Sequence, residues 1–109
     1  AEADVKITKG YPVTINDPAL TAQMLPTLKN VAGADNVFDV PKLTASEDFA
    51  FYSQEVPSLF IFLGGTPVEQ DASKAPYNHS PYFYADESSF KIGTKALSQL
   101  AIDYLAMNQ

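Results

Sequence analysis

Leu59-Phe60-Ile61-Phe62-Leu63 is a continuous apolar run closed by Gly64-Gly65, and no other segment limits the possible folds as strongly. An apolar run without polar alternation is how a strand covered on both faces of a sheet reads, and this one is far too short to cross a bilayer. The expectation is a central strand, with the rest of the chain supplying the elements that cover it.

Val5 and Ile7 alternate with Asp4, Lys6 and Thr8, and Tyr11, Val13 and Ile15 resume that period of two after Gly10-Tyr11-Pro12 interrupts it. This predicts a half-buried strand followed by a crossover. Asn16-Asp17-Pro18 then reads as a helix start, with Asp17 as N-cap and Pro18 at the first helical position. Leu20, Met24, Leu28 and Val31 recur at helical spacing up to a stop at Gly33. Pro26 conflicts with that helix, because it removes the bond to the carbonyl of Ala22, and a kink or a split is expected there. Val37-Phe38-Asp39-Val40 is a short strand candidate. Ser46 is placed to cap a short helix with Glu47 and Asp48 in its first turn and Phe49, Ala50 and Tyr52 facing inward. Asp86 is placed to cap a last helix with two apolar stripes, Phe90, Leu97, Ala101 and Tyr104 in one and Ile92, Ala96 and Leu100 in the other. Two stripes imply burial against a sheet. The order strand, helix, strand, helix, strand, loop, helix predicts an α/β fold with helices packed on a mixed sheet.

Between the apolar run and the last helix, Thr66 to Tyr84 is rich in Pro, Asp, Ser, Ala and Asn and reads as one long ordered loop. Sites in α/β folds lie beyond the carboxyl ends of strands, and loops of this length are usually functional. The only histidine of the chain, His79, is on it, flanked by Pro76 and Pro81, which restrict the backbone and help to aim the imidazole. A lone loop histidine is nevertheless more often a surface residue than a ligand. Glu47-Asp48 is a pair that hydrolases use as metal ligand and general base, yet acidic residues in a first helical turn are also what the helix dipole favours. Gly64-Gly65-Thr66 allows a close backbone approach to an anion, but a lone glycine pair is a weak signal and a plain turn is the better reading. Tyr77, Tyr82 and Tyr84 either line a pocket or pack half-buried.

Composition removes other classes. The net charge of −6 comes without a basic cluster, so neither nucleic acid nor an anionic membrane surface is an expected partner. The chain has no cysteine, hence no disulfide framework and no thiolate ligand. Ala1-Glu2-Ala3-Asp4 lacks the basic and apolar regions of a signal peptide, and the expected location is cytoplasmic. The chain begins without Met and almost inside a strand, which reads as a cut from a longer parent. A catalytic zinc takes about three protein ligands plus an open position, and one histidine with unclustered carboxylates does not supply them.

Two segments together carry a resemblance. Thr44-Ala45-Ser46-Glu47-Asp48-Phe49-Ala50-Phe51-Tyr52, and His79-Ser80-Pro81 followed by Phe83, Asp86-Glu87, Gly93 and a helix through Leu97, Leu100 and Tyr104-Leu105, resemble the C-terminal end of the amidohydrolase branch of the aminoacylase/carboxypeptidase G metallopeptidase family. That branch includes hippurate and auxin-conjugate hydrolases. Tyr11-Pro12-Val13-Thr14-Ile15-Asn16-Asp17 is similar to the family's return from its inserted lid domain. The resemblance implies that residues 1–15 are the last strand of the lid domain and the crossover, and that residues 16–109 are the C-terminal portion of a zinc-peptidase-like catalytic domain. It implies a parent with two divalent metal ions, zinc first and manganese or cobalt as alternatives, that hydrolyses small N-acyl amino acid amides and dimerises through its lid domain.

In that reading His79 is the last metal ligand, while the other ligands and the catalytic glutamate lie outside this chain, which alone is inactive. Glu47 and Asp48 are then cleft-lining residues rather than catalytic ones, and Gly64 and Gly65 are assigned to the same substrate cleft. The stretch Val68 to Ala75 is longer than the family pattern. The competing readings are a non-enzymatic α/β interaction module and a zinc aminopeptidase or deacylase of the same family.

Overall fold

The computed structural model describes all 109 residues. Its helices are α1 (Pro18–Ala32), α2 (Phe49–Glu55) and α3 (Ser88–Met107), with short 3-10 turns at Ala34–Asn36 and Ala72–Lys74. No residue lies in a strand, so the expected α/β fold with helices packed on a mixed sheet is overturned. The reason lies in what alternation measures. It records which side chains a sheet would bury, but a strand also needs a neighbour about 4.8 Å away to take its N–H and C=O groups. None of the three strand candidates forms a ladder with another. Val5, Ile7, Val13 and Ile15 are exposed, as are Phe38, Val40, Phe62 and Leu63.

The chain divides into two compact units, Ala1–Thr21 with Val40–Phe60 and Ala22–Asp39 with Ile61–Gln109. In the first, the entry into α1 is built as its sequence predicts: the Asp17 carboxylate accepts the Leu20 N–H at 2.7 Å, and the Asp17 carbonyl accepts the Thr21 N–H at 2.9 Å. Asn16 does something its turn-like setting did not announce. Its carboxamide accepts the Phe60 N–H at 2.7 Å and donates to the Phe60 carbonyl at 2.9 Å, while the Asp17 N–H donates to the Ser58 carbonyl at 2.8 Å. One side-chain amide thus takes the part that a neighbouring strand would play at this one residue. Phe60 packs against Phe49 with ring centroids 5.3 Å apart, and Ala50 is fully buried.

The start of α2 differs in detail from expectation. Glu47, not Ser46, is the capping side chain, accepting the Phe49 N–H at 3.2 Å. Ala50 faces inward as predicted, but Tyr52 is exposed.

In the second unit, α1 runs unbroken through Pro26 instead of splitting. Ala22 and Pro26 are both exposed, so water can take the carbonyl that proline leaves without an N–H partner. Gly33 ends the helix with φ 90°, a left-handed conformation that glycine tolerates without strain. Met24 is buried on α1 and Ala96 on α3. The first apolar stripe of α3 is exposed at Phe90, Leu97 and Tyr104, so the sheet it was expected to cover is missing here as well, while Ala96 of the second stripe is buried. A Cβ at Gly93 would come within 2.7 Å of the end of the Leu63 side chain, so that exposed leucine would have to move aside.

α1 and α3 are joined by a polar pair as well. The buried Thr27 hydroxyl donates to Asp103 Oδ2 at 2.6 Å, and Gln99 Nε2 donates to Asp103 Oδ1 at 2.7 Å. These donors, Thr27 foremost, hold the Asp103 carboxyl below the usual carboxylate range. A carboxyl whose folded pKa lies below its unfolded value stabilises the fold at pH above the unfolded value and loses that contribution as pH falls through the folded value. The gap in unfolding midpoint between the wild type and Asp103→Ala is therefore expected to be constant at neutral pH and to narrow below about pH 4. Thermal unfolding at fixed ionic strength measures it, and a gap unchanged down to about pH 2 would contradict the assignment.

Candidate functional site

The loop from Thr66 to Ala85 is tied at its neck. The Asp86 N–H donates to the Gly65 carbonyl at 2.7 Å, and a Cβ on Gly65 would meet Ala85 Cβ at 3.3 Å, so a small residue suits this close approach. Asp86 also starts α3, its carboxylate accepting the Ser88 N–H at 2.8 Å and its carbonyl the Ser89 N–H at 3.1 Å. The cap expected at Asp86 is therefore present, and it coincides with the closure of the loop.

Within the loop, the segment from Pro67 to Ala75 folds on itself. The Gln70 N–H donates to the Pro67 carbonyl, and Asp71 caps the 3-10 turn by accepting the Ser73 N–H at 3.0 Å and the Ser73 hydroxyl at 2.6 Å. Lys74 Nζ lies 3.2 Å from the same carboxylate. The Ser73 bonds foremost, with Lys74, keep the Asp71 carboxyl below its ordinary range.

His79 follows in a pair of consecutive turns. The Ser80 N–H donates to the Tyr77 carbonyl at 3.1 Å, closing a turn with Asn78 and His79 at its centre. His79 has φ 71° and is the only non-glycine residue with positive φ. A negative φ at Asn78 followed by a positive one at His79 is the sign pattern of a type II turn, whose third position usually holds glycine or asparagine. The Phe83 N–H then donates to the Ser80 carbonyl at 3.0 Å, closing a second turn with Pro81 at the position where proline is favoured. The Ser80 hydroxyl accepts the Tyr82 N–H at 3.2 Å.

Of the residues singled out from sequence, His79, Gly64 and Gly65 belong to the second unit and Glu47 and Asp48 to the first. Gly65 contributes its carbonyl to the loop neck, while Gly64 borders open space. Glu47 is occupied in capping α2. Tyr77, Tyr82 and Tyr84 are exposed and neither line a pocket nor pack half-buried. An open hollow in the first unit, bordered by Ile15, Asp17, Gln54 and Val56, contains none of the expected site residues. Ser80 is the residue that reading the sequence for chemistry missed. Its signal was the step Ser80-Pro81 directly after the histidine, a pair suited to opening a turn.

The fit to a metal is that of a single ligand. His79 presents an exposed imidazole from a backbone fixed on both sides, but no three His, Cys, Asp or Glu side chains of this chain come together around a common point. No helix is long and apolar enough to cross a membrane.

Residues 2–103 match the model of the peptidase family M20/M25/M40. A Bacillus subtilis protein named as an amidohydrolase, YhaA, is 34% identical over 88% of this chain and 24% of its own length. The IAA-amino acid hydrolase ILR1-like 4 of Arabidopsis thaliana is 33% identical over 87% of this chain and 21% of its own. Thermostable carboxypeptidase 2 of Saccharolobus solfataricus is 32% identical over 95% of this chain and 25% of its own. The chain thus spans about a quarter or less of the length of these relatives. No solved structure matches it.

Proposed function

This chain belongs to the peptidase family M20/M25/M40, whose members are generally metal-dependent, and we propose from that membership that it serves a hydrolase of N-acyl amino acid amides by supplying one metal ligand, His79. The observation that carries the reading is the His79 turn itself: an exposed imidazole on a backbone pinned between two hydrogen-bonded turns, in a chain matched over nearly its whole length by relatives named for cleaving amino acid conjugates. When bound, a divalent metal, zinc in the first instance, supplies Lewis acidity toward the scissile carbonyl and lowers the pKa of a coordinated water.

The residues of this chain have more limited tasks. His79 presents a ring nitrogen for coordination. The bond between the Asp86 N–H and the Gly65 carbonyl closes the loop that carries His79 at the start of α3. Glu47 and Asp48 at the start of α2 are proposed as substrate-contacting residues of the first unit, and Gly64 and Gly65, beside the loop, as such residues of the second. The remaining ligands and the catalytic glutamate are proposed to come from the rest of the whole protein.

Relatives named carboxypeptidase favour a second substrate class, peptides with a free carboxyl end. One assay separates the two. The whole protein, loaded with zinc, is expected to hydrolyse N-benzoylglycine in preference to dipeptides of similar size, to lose that activity on dialysis against a chelator, and to regain it when zinc is restored. Preference for the dipeptides favours the second class, and hydrolysis unaffected by the chelator sinks the metal reading. The isolated chain of 109 residues is expected to be inactive on both.

A further inference from the structure

Ser80 is bonded through its amide, its carbonyl and its hydroxyl to residues on both sides of it: N–H to the Tyr77 carbonyl before it, carbonyl to the Phe83 N–H and hydroxyl to the Tyr82 N–H after it. It is also half-buried, whereas His79 before it and Pro81 after it are exposed. On one side of it the chain is in a left-handed conformation that a histidine adopts only at some cost in free energy. Strain of that kind persists only where the surroundings over-determine it, and the surroundings of His79 are the two turns that meet at Ser80.

We propose that Ser80 is the positioning residue for His79, its hydroxyl holding the second turn closed so that the first turn keeps the imidazole in its left-handed setting. The proposal rests on the reading of His79 as a metal ligand. The groups behind a metal-binding side chain set its orientation, and losing one typically weakens metal binding by about 10- to 100-fold. Ser80 acts on the backbone of the ligand, not on its free ring nitrogen. A threonine at position 80 retains the hydroxyl acceptor, and an alanine removes it and little else.

The test compares wild type, Ser80→Ala, Ser80→Thr and His79→Ala in the whole protein, with the zinc ion alone as probe. Zinc affinity is read by competition with a chelator, and the backbone at His79 by the intraresidue amide-to-Hα cross-peak, which is strong when φ is positive. Ser80→Ala is expected to bind zinc about tenfold more weakly and to lose the strong cross-peak, while Ser80→Thr keeps the wild-type behaviour in both. Wild-type affinity and cross-peak in Ser80→Ala, alongside loss of zinc in His79→Ala, overturn the proposal and leave the ligand reading standing. Unchanged affinity in His79→Ala removes the ligand reading, and the role of Ser80 with it. Loss of zinc from Ser80→Ala only together with a lowered unfolding temperature also overturns it.

Discussion

Replacing His79 with alanine in the whole protein is expected to lower turnover roughly a thousandfold, about 4 kcal/mol of transition-state stabilisation at about 1.4 kcal/mol per decade. The chain has no second histidine and no cysteine to take over as ligand, and its carboxylates do not cluster. Bound metal per protein, measured by elemental analysis after gel filtration, is expected to fall with the rate. Because His79 is exposed and left-handed, two effects have to be separated: alanine removes the imidazole and also fits the backbone conformation poorly. His79→Asn makes the separation, since asparagine tolerates the left-handed conformation but lacks the imidazole. Both variants losing metal identifies the ring as the cause. If the asparagine variant kept full turnover and full metal content, the ligand assignment would be wrong and only the turn would matter.

The largest effect on folding is expected at Met24, which is 2% exposed and sits on α1 in the second unit. Cutting a buried methionine to alanine costs about 2–5 kcal/mol, according to how far the neighbours can close the gap. Domains have only about 5–15 kcal/mol in total, and the buried apolar side chains here are few: Met24, Ala50 and Ala96. Met24→Ala is therefore expected to lower the denaturant midpoint of the chain sharply, whereas Leu97→Ala, at a residue 67% exposed, is expected to change it little. Equal effects at the two positions would show that burial in the second unit is distributed differently.

How much of this was legible in the sequence depended on whether the signal was local. The Asp17 cap, Pro18 at the first helical position, the Gly33 stop and the Asp86 cap all depend on groups within a few residues of one another, and each is found where the sequence places it. The sheet is different. Leu59 to Leu63 and the alternation from Val5 to Ile15 describe surfaces suited to burial, but their burial depends on partners that no local pattern guarantees. Phe60 obtains its hydrogen bonds from the side chain of Asn16, 44 positions away, which no periodicity encodes. Pro26 does not split α1 as one of its two expected outcomes had it, because its cost depends on whether the freed carbonyl can be solvated. In the candidate site, His79 was visible as a residue type with flanking prolines. Its left-handed backbone was not, because histidine is an uncommon occupant of that turn position. The role of Ser80 was equally hidden, arising from two turns that share one residue.

The bond from the Asp86 N–H to the Gly65 carbonyl also bears on how such a chain can change over evolutionary time. A loop whose ends are clamped pays for added length only through closure entropy, and doubling its length costs only about 0.6 kcal/mol. Residues gained or lost between Pro67 and Ala75 are absorbed in a stretch that already folds on its own Asp71 cap, while the His79 turns stay anchored downstream. The clamp therefore lets one flank of the loop change length while the backbone of the His79 turns on the other flank keeps its own hydrogen bonds.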